Sequence, residues 1–142
     1  MKLVVDASVA LKWTLLEDGT EADVDAARAL LAKILNGTHV LVQPPHWIVE
    51  VLAVMARRSP GQVAASLAAL RDINADIAND DRVFLQAAEL AERLKQHLFD
   101  TLYHAVALNR GAILVTADER YWAIARKDGA IQRLRDMPNT DI

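Results

Sequence analysis

Cysteine is absent from all 142 residues, which rules out a disulfide framework and any thiolate metal site; a metal ion in this chain must be held by oxygen or imidazole. Such a chain is compatible with a reducing cytoplasm, the localisation expected here. Long apolar runs are missing too. Leu3-Val4-Val5 is cut off by Asp6, far too early for a signal-peptide core or a membrane span, and no later run reaches spanning length. Glycine (5) and proline (4) are few and form no linker-like stretch, so residues 1–142 are expected to fold as one domain around one core. An excess of positive charge is also lacking, and the net charge of −3 argues against a general basic coat for nucleic acid. What remains is 53% hydrophobic and 25% charged residues with only 5% aromatics, an ordinary globular composition that excludes wholesale disorder.

Short apolar runs alternate with helical patterns. Lys2 to Val5 is a β-branched run ended by an acid, as in a strand buried on both faces of a parallel sheet. A helix is expected from Ser8 to about Glu17, then a break at Asp18-Gly19. A second helix runs from the capping-box-like Thr20-Glu21-Ala22-Asp23 to Asn36-Gly37. His39 to Val42 reads as a strand, and Pro44-Pro45 suits the first turn of a helix from Pro45 to Arg58. After the Ser59-Pro60-Gly61 turn, a fourth helix to Asn74 carries an expected stripe of Ala64, Leu67, Ala68, Leu70 and Arg71; Ala75 to Ala78 is a weak strand. A fifth helix, from Asp80 or Asp81, sets Val83, Phe84, Ala87, Leu90, Ala91 and Leu94 on one side. Gln96 to Phe99 separates it from a sixth, Asp100 to Asn109, closed by Arg110-Gly111. Ala112 to Val115 is a buried strand, Asp118 to Lys127 a seventh helix, and Ala130 to Leu134 a final strand. The alternation implies an α/β domain with a mainly parallel sheet and right-handed crossovers.

Four carboxylates sit inside these apolar stretches: Asp6, Glu50, Asp100 and Asp118. Acids in such surroundings must be neutralised, hydrogen-bonded or placed on a cation, and a hard divalent metal is the simplest common answer. Asp6 and Asp118 each follow a strand, at the sheet edge where open parallel sheets bind ligands. Glu50 shares its helix face with Trp47, Val51 and Val54, which aims it inward. Asp100 opens a helix that Phe99, Leu102, Tyr103 and Val106 dock on the sheet. Each acid also has a bland reading. Asp6 suits a strand-end Asx turn, Asp100 a helix N-cap, and Asp118 the capping box Thr116-Ala117-Asp118-Glu119. Glu50 has the fewest such readings, since a lone mid-helix Glu among apolar residues costs several kcal/mol unless paired.

The order and spacing of Leu3-Val4-Val5-Asp6-Ala7-Ser8, Glu50, Phe99-Asp100-Thr101-Leu102-Tyr103-His104-Ala105-Val106-Ala107-Leu108 and Ile113-Leu114-Val115-Thr116-Ala117-Asp118-Glu119-Arg120 resemble a PIN domain, specifically the small VapC-type toxin ribonucleases. The resemblance implies a three-layer α/β/α sandwich with a central parallel sheet of about five strands. It also implies a Mg²⁺- or Mn²⁺-dependent endoribonuclease, with Asp6, Glu50, Asp100 and Asp118 as its acidic positions. A homodimer and a cognate antitoxin that enters the active groove are the implied partners. Family members often carry one further acid after the last motif; here Glu119 is adjacent and Tyr121-Trp122 follow.

Phosphodiester hydrolysis needs an activated water, charge neutralisation and a stabilised leaving group, which one or two carboxylate-held ions can supply, the second roughly 4 Å away. Asp6 and Asp100 are expected as the main ligands, with Asp118 completing the shell and Glu50 binding a second ion or orienting the water. Ser8 and Thr116 either hydrogen-bond a ligand carboxylate or cap helices. His104, four residues after Asp100, either reaches the pocket or packs beside it. Trp13, Trp47 and Trp122 either stack on bases or pack in the core, and Lys12, Arg57, Arg58 and Arg120 are candidate phosphate contacts against a default of solvated surface. Two rivals stand beside the nuclease. An aspartyl-nucleophile phosphatase also places an acid after strand one but wants a second two residues on, where this chain has Ser8. A silent binding module would keep the fold without chemistry.

Overall fold

A computed structural model of the chain describes residues 1–15 and 23–138. Its sheet is built from β1 (Lys2–Val5), β2 (Val40–Gln43), β3 (Asp76–Ile77), β4 (Ile113–Thr116) and β5 (Ile131–Arg133), all parallel in the order β3-β2-β1-β4-β5. The central strands read as apolar runs because both their faces are covered: Leu3, Val4, Val5, Leu114 and Val115 are fully buried. Helices α1 (Ala7–Thr14), α2 (Val24–Leu35), α3 (Trp47–Arg58) and α4 (Val63–Asp72) connect β1 to β2 and β2 to β3. Helices α5 (Asp81–Leu94), α6 (Leu98–Arg110) and α7 (Glu119–Ala125) connect β3 to β4 and β4 to β5. The chain reverses its direction across the sheet after β3, so right-handed crossovers put α1–α4 on one face and α5–α7 on the other. The expected three-layer α/β/α architecture is what forms. Among the described residues, no helix is long and apolar enough to cross a membrane.

The strand order reverses between β1 and β4, and there the carboxyl ends of neighbouring strands open a crevice. Gln43 shapes that edge. β2 pairs in register with β1 only at Lys2 and Leu3, then turns to β3; the buried Gln43 amide takes over, its Oε1 accepting from Val5 N–H and its Nε2 donating to the Val5 carbonyl, each at 2.9 Å. A side-chain amide thus replaces the missing main-chain partner one residue before Asp6.

Several expected boundaries move. The first helix ends at Thr14 because Leu15 is extended, and the expected break and helix start over Asp18 to Ala22 lie outside the described residues. α2 begins at Val24 behind Asp23, a left-handed residue whose side chain makes no cap. The helix after Pro44-Pro45 starts at Trp47, and the seventh helix passes into a 3₁₀ turn over Arg126–Asp128. Of the stripe expected on the fourth helix, Leu70 is buried but Ala64, Ala68 and Arg71 are exposed, and Ser66 joins Leu70 on the core side. α6 starts two residues earlier than expected, so Asp100 sits inside its first turn and His97, not Asp100, is the N-cap residue. Phe99 is 61% exposed and docks nothing on the sheet, a task left to Leu102, Tyr103 and Val106. Phe84, expected on the buried side of α5, is likewise exposed.

Candidate active site

Asp6 is the N-cap of α1 and the best anchored of the acids. Its Oδ1 accepts from the Ser8 N–H at 3.1 Å and from the Ser8 hydroxyl, and its Oδ2 accepts from the Thr116 hydroxyl. The same two hydroxyls are acceptors in turn: Ser8 Oγ receives the Ala117 N–H and Thr116 Oγ1 the Asp118 N–H, both at 3.0 Å. Ser8 and Thr116 therefore tie the end of β1 to the end of β4 and fix Asp6 between them. Burial pushes the Asp6 carboxyl up to about 6, helped by the charge of Asp118 and opposed by the Ser8 and Thr116 hydrogen bonds.

Asp118 is exposed and caps α7, its Oδ1 accepting from the Tyr121 N–H at 3.0 Å. Asp118 itself is the cap, so the expected box from Thr116 to Glu119 does not form and the Glu119 side chain pairs with Arg133 and Arg135; the cap leaves the second Asp118 oxygen unclaimed by it. Asp100 comes from the opposite side of the crevice. Partial burial raises its carboxyl, then the charges of Glu50 and Asp118, while His97 and His46 pull it down. Glu50, in the first turn of α3, receives the Tyr103 hydroxyl on Oε1 at 3.2 Å and has His46 Nε2 3.4 Å from Oε2. Burial and the Glu50 charge hold the Tyr103 phenol protonated, so it is always a donor to Glu50. All four acids from four separate elements thus lie in one electrostatic neighbourhood. Among the described residues, no three such side chains are grouped as a ready metal cage. The donor set still fits a hard cation. It is all oxygen, Asp6 is desolvated, and Mg²⁺ commonly keeps several waters and rests on only one or two carboxylates.

Other expected residues fall elsewhere. His104 is fully buried outside the site: its Nε2–H donates to the Gly129 carbonyl at 2.7 Å and its Nδ1 takes the Tyr121 hydroxyl at 3.1 Å, while burial lowers its pKa. Lys12 is 7% exposed, so it is a packed residue of α1 rather than a solvated one. Arg57 and Arg58 lie seven and eight residues past Glu50, about 10 Å or more along α3 from it, whereas exposed Arg120 is in the first turn of α7. Glu119 is held away by Arg133 and Arg135. Trp13 donates to the Ala27 carbonyl at 2.8 Å between α1 and α2, Trp47 is buried, and Trp122 is flanked by Arg126 and Arg133.

Sequence reasoning missed His46, Tyr103 and Gln43. His46 stands four residues before Glu50, the helical spacing of facing side chains, and its Nε2 also lies 3.0 Å from the Phe99 carbonyl, bridging α3 to α6. Tyr103 follows Asp100 by one helical step, and Gln43 is the one polar residue of its strand.

Comparison with solved structures gives the same fold. VapC20 of Mycobacterium tuberculosis, a sarcin–ricin loop cleaving toxin, superposes with a TM-score of 0.66 at 21% identity, covering 85% of this chain and 93% of that one. PAE2754 from Pyrobaculum aerophilum gives 0.67 at 16% identity over 95% and 90% of the two chains. VapBC2 from Rickettsia felis, bound to a DNA fragment from its promoter, gives 0.68 at 12% identity over 94% and 98%. No curated protein matches the sequence. The model of the PIN domain matches residues 3–128, including Asp6, Glu50, Asp100 and Asp118, and the chain belongs to the PIN-domain family.

Proposed function

We propose that this protein is a metal-dependent endoribonuclease, the toxin of a toxin–antitoxin pair, acting in the cytoplasm as a homodimer. The feature that supports the reading is the electrostatic linkage of Asp100 to Glu50 and Asp118, and of Asp118 to Asp6, beside the β1–β4 switch point, with Asp6 anchored by the hydroxyls of Ser8 in α1 and Thr116 at the end of β4. Asp6 and Asp100 are the main ligands for Mg²⁺ or Mn²⁺, with Asp118 and Glu50 beside them. When bound, the ion supplies a nucleophilic water and neutralises charge on the phosphate. The chain itself does the rest. Ser8 and Thr116 orient Asp6 and oppose the rise that burial imposes on its carboxyl, and Tyr103 and His46 fix both oxygens of Glu50 so that it can orient the attacking water. A cognate antitoxin is the proposed regulator, a reading supported by the likeness to VapBC2 from Rickettsia felis.

Water as nucleophile makes a claim about the products. End-group analysis of cleaved RNA should show no persistent 2′,3′-cyclic phosphate, because the 2′-hydroxyl takes no part; accumulation of cyclic ends would contradict the proposal. Ser8 in place of a second acid argues against the aspartyl-nucleophile alternative, since its hydroxyl is committed to Asp6 and Ala117.

A further inference from the structure

We propose that Arg133 and Arg135 form a phosphate-binding subsite on the rim of the acidic pocket, filled in the free protein by the carboxylate of Glu119, which an RNA phosphate displaces; the inference rests on the nuclease reading above. Arg133 ends β5 in register with Thr116. In-register residues of parallel neighbours stand about 4.8 Å apart and project to the same face. Arg133 therefore leaves the sheet beside the threonine that holds Asp6, and Glu119 directly follows the pocket acid Asp118.

Both oxygens of Glu119 are taken by guanidinium groups: Arg133 Nη1 lies 3.3 Å from Oε2 and Arg135 Nη2 3.0 Å from Oε1. A phosphate presents paired oxygens to the same donors. The exchange is easy because Glu119 and Arg135 are 48% and 54% exposed, and exposed ion pairs contribute little. Arg133 is better held. Its Nε donates to Asp136 at 2.8 Å and its guanidinium lies 4.1 Å over the Trp122 ring, whose other cationic neighbour, Arg126, is at 5.2 Å. When Glu119 leaves, Arg133 remains held by Asp136 and Trp122, and Arg135 loses its partner carboxylate. None of the basic residues singled out from the sequence belongs to this group.

The test is fluorescence anisotropy of a labelled single-stranded RNA oligonucleotide in EDTA, where binding is read without cleavage. Glu119→Gln should tighten binding about three- to tenfold, and Glu92→Gln, an equal charge change on α5, less than about twofold. Arg135→Gln should weaken binding about three- to tenfold and reduce the slope of log K against log salt by about 0.7, the value for one single-strand phosphate. In an Arg133→Gln/Arg135→Gln background, Glu119→Gln should gain nothing. Thermal melts of every variant check folding, and the exposed Arg135 carries the test should loss of Arg133 disturb β5. The subsite is rejected by an unchanged or undetectable affinity in Glu119→Gln, by a gain matched in Glu92→Gln, or by a gain that survives loss of both arginines. If that happens while cleavage still depends on Asp6, the subsite alone fails. If the binding pattern holds but Asp6→Asn cleaves like wild type, the nuclease reading fails and the subsite stands.

Discussion

Thr116 and Asp6, 110 residues apart in sequence, are joined by a hydrogen bond from the Thr116 hydroxyl to Asp6 Oδ2, and the same hydroxyl accepts the Asp118 N–H at 3.0 Å. One buried side chain thus sets the spacing of two pocket acids. Thr116→Val keeps the shape and removes the hydroxyl. It should cost about 1–3 kcal/mol of stability through the unpaired Asp118 N–H and about 10- to 100-fold in Mn²⁺ affinity, with Thr116→Ser restoring the affinity. Calorimetric Mn²⁺ titration of the two variants checks this; wild-type affinity in Thr116→Val would remove the hydroxyl from the site.

The raised Asp6 carboxyl has a consequence for stability. The folded chain keeps this proton up to about 6, whereas the unfolded chain loses it near 3.8, so in that interval the folded state binds more protons. Metal-free stability therefore falls as pH rises through this window, by up to about 3 kcal/mol at neutral pH. In EDTA at pH 7.5, Asp6→Asn should melt several degrees above wild type, and the advantage should vanish near pH 4. Added Mn²⁺ should raise the melting temperature of wild type only. Equal melting of the two proteins at both pH values would show that Asp6 carries no such penalty.

His104 has the opposite sign. Its pKa is lowered by burial, so below its unfolded value of 6.5 the unfolded chain takes up a proton that the folded chain refuses. The stability it contributes is complete above pH 6.5 and is lost as pH falls through that value toward the folded pKa. His104→Leu should flatten this part of the pH–stability curve and cost about 2–4 kcal/mol, since the Gly129 carbonyl and Tyr121 hydroxyl lose their partner. Turnover per folded molecule should stay at the wild-type value. A selective loss of kcat would return His104 to the chemistry.

Tyr103→Phe tests Glu50. Without the phenol, Glu50 loses the donor on Oε1 and keeps the His46 contact on Oε2, and kcat should fall about 2- to 10-fold at constant KM. A change confined to KM would make Tyr103 a substrate contact instead.

The sheet was legible because β1 and β4 are buried on both faces and so carry their burial in composition alone. Asp6 and Glu50 were legible for a related reason: a charge among apolar residues is an anomaly that demands a partner. Boundaries were less so. The break expected over Gln96 to Phe99 puts the helix start at Asp100, yet α6 already begins at Leu98, and Phe99 stays in solvent despite its hydrophobicity. Lys12, a candidate phosphate contact with solvated surface as its default, is instead packed in α1. Gln43 and Arg133 could not be found by such reasoning, since each acts on a residue brought close only by strand order; the His46 contact with the Phe99 carbonyl is equally non-local, although its i,i+4 spacing to Glu50 was there to be read.

The central claim is that Asp6 and its neighbouring acids hold a divalent ion that drives RNA hydrolysis. The most direct measurement is the cleavage rate of one RNA by wild type and by Asp6→Asn, each with Mg²⁺, Mn²⁺ or EDTA. Wild type should cleave with either ion and stop in EDTA, and Asp6→Asn should be at least about 100-fold slower under all conditions. Equal cleavage by the two proteins, or wild-type cleavage that persists in EDTA, would contradict the assignment.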